Sequence, residues 1–162
     1  MTIITVISNK GRLSLEQRRE LARSLTDAVL VPEIGQFIAA ARAGFQVHFV
    51  ERESDTMAIG GVLASDQQPP QDVMVIDIAV MDGDWTQDVR AEVIERTYAA
   101  LTEAIGAATP APTWWVNFRV ISEGSWGSRG QVLSILDLLA SGVFTEQKAA
   151  AIRAHIELAT QR

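Results

Sequence analysis

An internal repeat constrains this chain more than any other feature. Thr2 and Met74 each open an apolar, largely β-branched run, and Ser14 and Thr86 each stand where a helix begins. Both pairs lie 72 residues apart. Later in each half Val47-His48-Phe49 matches Val116-Asn117-Phe118, Met57 matches Trp126, and Gly61 matches Gly130. Strand, helix, strand and glycine turn recur in one order, which marks a duplicated βαβ unit. Two such units in tandem predict an α+β fold, with a four-stranded sheet and both crossover helices on one face.

The local signals agree with that order. Ser14 with Gln17 three residues on forms a capping box, and Leu21, Leu25, Ala28 and Val29 follow at helical spacing. Pro32 is expected to close that helix, leaving residues 33–44 as a shorter helix or structured loop. Residues 45–50 read as the second strand, with a turn at Gly60-Gly61. In the other half residues 73–80 form a strand, and Val89, Val93, Leu101 and Ile105 mark a helix stopped by Gly106. Residues 114–121 form the last main strand, and Gly124, Gly127 and Gly130 a hairpin. Ala149, Ile152, Ile156 and Ala159 share one stripe, so the end of the chain reads as a docked helical appendage with Glu146, Lys148, Arg153 and Glu157 on its wet face.

The expected organisation is one domain over 1–162. The first unit covers 1–66, the second 73–135, and the helical extension 136–162, with Gln67-Gln68-Pro69-Pro70-Gln71 as a polar connection. A chain of 17.6 kDa suits that size. Its net charge of −6, with Arg18-Arg19 as the longest basic cluster, argues against a nucleic-acid partner. With no cysteine and two distant histidines, neither a metal nor a cofactor is expected. Residues 73–81 are the most apolar stretch but are broken by Asp77 and too short to span a membrane. The N-terminus lacks the pattern of a signal peptide, so the expectation is a cytoplasmic protein without a membrane partner.

Three segments carry a resemblance. The N-terminal strand runs into Gly11-Arg12 and then Leu13-Ser14-Leu15-Glu16-Gln17-Arg18, which is similar to 4-oxalocrotonate tautomerase. Val47-His48-Phe49-Val50 through Met57-Ala58-Ile59-Gly60-Gly61, and Trp115-Val116-Asn117-Phe118 with Trp126-Gly127, resemble macrophage migration inhibitory factor. In order and spacing the chain resembles the tautomerase superfamily over nearly its whole length. That resemblance implies trimers of double βαβ units and an N-terminal proline whose amine moves protons between carbon and oxygen of small keto or enol acids. It also implies arginines that hold the substrate carboxylate. Here Thr2 follows Met1 and no proline lies near the N-terminus.

The candidate site follows residue by residue. The amine of Thr2, after loss of Met1, or of Met1 itself, is the candidate base; retention of Met1 displaces the amine by about 3.5 Å. The competing expectation is a strand that only seals the sheet. Arg12 falls at the spacing of a substrate-binding arginine, so the resemblance gives it the carboxylate of a small ligand. Trp115, Asn117 and Arg119 alternate on one strand and share the face opposite Val116, Phe118 and Val120. The resemblance makes that face the one that packs subunits into a homotrimer and lines the pocket, with Trp126 as a further wall or trimer contact. Arg42 reads as solvated, His48 as a hydrogen-bonded structural residue, Asp82 and Asp84 as turn residues, and Asp77 as the odd charge inside a strand, facing either a subunit interface or a pocket. The two functions these features allow are an isomerase or lyase of small keto, enol or unsaturated acids, and a binding protein that kept the fold without the proline.

Overall fold

The structure, a computed structural model, describes residues 1–160. The first half contains β1 (Thr2–Asn9), α1 (Leu15–Ile34), β2 (Phe45–Arg52) and the short hairpin β3 (Ala58–Ile59) and β4 (Val62–Leu63). The second contains β5 (Met74–Met81), α2 (Gln87–Ile105), β6 (Trp114–Ile121) and the hairpin β7 (Trp126–Ser128) and β8 (Gln131–Leu133). Helices α3 (Ile135–Leu139) and α4 (Glu146–Thr160) end the chain. Among the described residues no helix is long and apolar enough to cross a membrane.

The main sheet runs β2-β1-β5-β6. Each half supplies a parallel pair, Thr2 opposite Phe45 and Met74 opposite Trp114, and the two halves meet in the antiparallel pair β1–β5. First strands and helix starts therefore correspond at an offset of 72, and second strands at 69. Alternation decides which side is covered. Thr2, Ile4, Val6 and Ser8 are buried on β1, and Met74, Ile76, Ile78 and Val80 on β5, all turned toward α1 and α2. On β6 the exposed set is Trp115, Asn117 and Arg119, as the alternation predicts.

Both crossover helices start at the expected caps. Ser14 accepts from the Gln17 amide while the Gln17 side chain accepts from the Ser14 amide, and the Thr86 hydroxyl accepts from Val89. Pro32 does not close α1. It lies buried in the last turn, and the helix ends at Gly35, whose φ of 81° lets its amide reach the Val31 carbonyl. Burial of Leu30, Pro32 and Ile34 carries the helix past the proline.

The C-terminal helices form a second apolar cluster. Ile135, Leu139, Ala149 and Ile152 pack with Met81, and Met1, Trp126 and Phe144 lean on them. Thr145 donates its amide to the Ile34 carbonyl at 2.9 Å, and a Cβ on Gly35 would lie 2.6 Å from the Thr145 hydroxyl. Lys148, expected on the wet face, instead meets Asp84 at 3.2 Å, and His155 meets Asp82 at 3.0 Å. The two turn aspartates thus clamp α4 to the β5–α2 connection. The Ala159 side chain and Gln161 lie outside what is described.

Candidate active site

The start of β1 lies beside the end of β6, because β5 pairs with both. In register across the uncovered face run Gln46, Ile3, Ala79 and Arg119. The C-terminal end of β6 turns into the β7–β8 hairpin, and Trp126 folds back toward this corner. The result is a cleft of about 330 Å³ lined by Met1, Thr2, Gln46, Arg119, Ser125 and Trp126. Four sequence candidates therefore converge: Met1, Thr2, Arg119 and Trp126.

Two carboxylates pair with residues of this corner: Glu33, which the sequence did not single out, and Asp77, the odd strand charge expected at an interface or a pocket. Thr2 is 1% exposed, its side chain points to the helix side, and its Oγ1 donates to Glu33 Oε2 at 3.2 Å. Glu33 stands in the last turn of α1, where the negative end of the helix disfavours an anion. Burial pushes its carboxyl above the usual range, and the charge of the Met1 amine and the Thr2 hydrogen bond pull the other way. A visible signal was an acid just before the helix-ending glycine. On the open face Asp77 lies 3.8 Å from Arg119, giving the odd strand charge a partner.

The remaining candidates lie elsewhere in the protomer. Arg12 follows the far end of β1, roughly 25 Å from Thr2 at the rise of a strand. It makes a two-pronged pair with Asp72, Nε to Oδ1 at 2.7 Å and an Nη to Oδ2 at 2.9 Å, which raises the arginine's already high pKa. Trp115 is 62% exposed near the same end, its indole donating to the Pro112 carbonyl. Asn117 lies between the two ends, opposite Asp77. Arg42 holds Asp27 and lies over the Phe37 ring at 5.0 Å, and His48 contacts Gln46 at 3.1 Å. Among the described residues no three His, Asp or Glu side chains converge as a metal site.

An amine, a guanidinium and an indole around one small cleft can bind an organic anion and move a proton beside it. Arg119 offers charge-assisted hydrogen bonds, and Trp126 offers an apolar wall that limits water. The Met1 side chain and Trp126 both pack against the cluster of Met81, Ile135, Leu139, Ala149 and Ile152, which anchors the N-terminus at this corner.

Solved structures share this architecture. A symmetric trimer of wild-type fused 4-OT aligns at a TM-score of 0.63 and 19% identity, over 86% of this chain and 98% of that one. A member of the cis-3-chloroacrylic acid dehalogenase family aligns at 0.64 and 19% identity, over 94% of this chain and 99% of that one. The macrophage migration inhibitory factor of Toxoplasma gondii aligns at 0.59 and 17% identity, over 81% and 99%. At these identities the likeness establishes the fold, which is the tautomerase fold. No family model and no curated protein matches the sequence.

Proposed function

We propose that this chain is a tautomerase-superfamily protein that assembles as a homotrimer and carries out isomerase- or lyase-type proton transfer on a small keto, enol or unsaturated carboxylic acid. The observation that carries the proposal is the convergence of Met1, Thr2, Arg119 and Trp126 on one cleft. The N-terminal amine takes a proton from the carbon next to a carbonyl and returns it to oxygen or to a second carbon, so the isomerisation gains and loses no atoms. Arg119 orients the substrate carboxylate. In a trimer the uncovered sheet face packs against neighbours, which supply Arg12, Asn117 and Trp115 to complete the substrate surface. The 62% exposure of Trp115 and the solved trimer of fused 4-OT support that assembly.

A second reading rests on a specific observation. Arg12 is engaged by Asp72, Arg119 faces Asp77, and the Thr2 hydroxyl is held by Glu33. Arginines already engaged by carboxylates, with no proline at the N-terminus, suit a non-catalytic or ligand-binding member that lost activity with the proline. Three measurements separate the readings. Light scattering should give three times the protomer mass, and a stable monomer at micromolar concentration would remove the trimer. Intact mass shows whether Met1 is kept. Turnover of any member of a panel of enol and 3-oxo acids supports the enzyme, and a trimer inert to the whole panel supports the binding protein.

A further inference from the structure

The duplication that builds the fold also builds the cleft twice. Applying the 72 and 69 offsets to the lining of the first cleft moves Met1 to Val73, Ile3 to Val75 and Ala79 to Ile7. It also moves Gln46 to Trp115, Ile121 to Arg52 and Trp126 to Met57. All six of these destinations line one cavity of about 630 Å³ at the opposite end of the sheet. Register explains the correspondence: Ile7, Val75 and Trp115 stand side by side across β1, β5 and β6, as Ala79, Ile3 and Gln46 do across β5, β1 and β2.

The substitutions between the two copies change the chemistry. The second copy begins inside the chain, so Val73 offers an amide, already donated to Asn9 Oδ1 at 2.9 Å, where the first copy offers an amine. Polar Gln46 becomes Trp115 and Gly44 becomes Thr113, while Trp126 becomes the slimmer Met57. The cavity gains apolar wall and volume and loses its base. A cation returns at Arg52, on the strand position that Ile121 holds in the first copy. Among the described residues Arg52 has no carboxylate partner, in contrast to Arg119 and Arg12.

We propose that this second cavity is a non-catalytic binding site for an apolar monocarboxylate, with its hydrocarbon or aryl body against Ile7, Val75, Met57 and Trp115 and its carboxylate on Arg52. Few polar groups converging on an apolar concavity define such a site, and a free guanidinium selects an anion. Within one protomer the two lining sets share no residue, and Trp115 is the one wall residue that the proposed trimer also gives to a neighbour's first cleft, so loss of Arg119 separates binding at the two sites.

The test uses full-length protein and two probes, 3-phenylpropanoate and its uncharged counterpart 3-phenylpropanamide, followed through the Trp115 indole N–H signal in NMR titrations. The acid should shift that signal saturably, and Arg52→Gln should weaken its binding about tenfold or more. The amide should bind the unaltered protein as weakly as the acid binds Arg52→Gln. Met57→Trp, which restores the bulk of the first copy, should abolish the response, whereas Arg119→Gln should leave it in place. A response unchanged in Arg52→Gln, equal binding of acid and amide, or loss of the response in Arg119→Gln would each overturn the proposal. So would a Trp115 signal that does not move.

Discussion

Thr2 Oγ1 donates a 3.2 Å hydrogen bond to Glu33 Oε2, tying the first strand to the last turn of the first helix at the corner where the cleft opens. The bond places a carboxylate where burial and the helix terminus both oppose its charge. The charge that acts on it is the amine of Met1, the residue just before β1. Because Glu33 binds its proton more tightly in the folded protein than in the unfolded chain, its contribution to stability is full below about pH 4. That contribution is lost as pH rises through the elevated value. Glu33→Gln should therefore match the parent protein near pH 4 and exceed it in urea midpoint at neutral pH. A variant less stable than the parent at neutral pH would mean that attraction between the amine and the carboxylate outweighs burial.

Gly35→Ala tests how α4 is held. The backbone φ of 81° disfavours any side chain, and the added Cβ would meet Thr145 and Lys148 at 2.6 and 2.9 Å. Strain plus displacement should cost about 1–3 kcal/mol. The loss should fall first on the C-terminal helices, seen as faster proteolysis after residue 134 before the sheet unfolds. Uniform destabilisation without earlier cleavage would show that the appendage and the sheet open together.

Arg12 and Asp72 form a half-exposed, two-pronged pair, so each has a structural share of stability apart from any ligand. Arg12→Ala and Asp72→Asn should both lower stability by about 1 kcal/mol. If a neighbouring subunit's cleft uses the arginine, Arg12→Ala should also weaken carboxylate binding by about 1.5–3 kcal/mol. Asp72→Asn should not weaken it. Equal affinity in both variants would confine Arg12 to the pair.

Much of this fold was legible because duplication doubled every local signal. Ser14 and Thr86 cap as expected, and residues 114–121 form the strand that their alternation predicts. Pro32 misled because tertiary burial of its neighbours overrode a local helix-breaking preference. The candidates Met1, Thr2, Arg119 and Trp126 were visible in the sequence and the fold places them around one cleft, whereas Glu33 beside them was not visible. Glu33 approaches Thr2 across 31 residues of chain, and Lys148 approaches Asp84 across 64, distances at which periodicity carries no information. The second cavity was latent in the repeat itself, yet its cation changes strand position between copies, so matching residue types alone does not find it.

Thr2→Pro is the most direct test of the first cleft. Proline is tolerated at the first residue of a strand, and methionine before proline is readily removed, so the variant should present a secondary amine at the start of β1. It gives up the bond to Glu33, a loss of about 1 kcal/mol. If Arg119 and Trp126 line a competent pocket, turnover of enol or 3-oxo acids should rise at least tenfold over the parent. In that background Asn117→Ala should lower kcat more than it alters KM, as expected of an amide that supports charge developing in the transition state. Mass spectrometry must show the processed N-terminus and light scattering the trimer. A processed, trimeric and inert Thr2→Pro protein would place the loss of catalysis in the pocket rather than in the missing proline. The pairing of Arg12 with Asp72 and of Arg119 with Asp77 would then mark where it was dismantled.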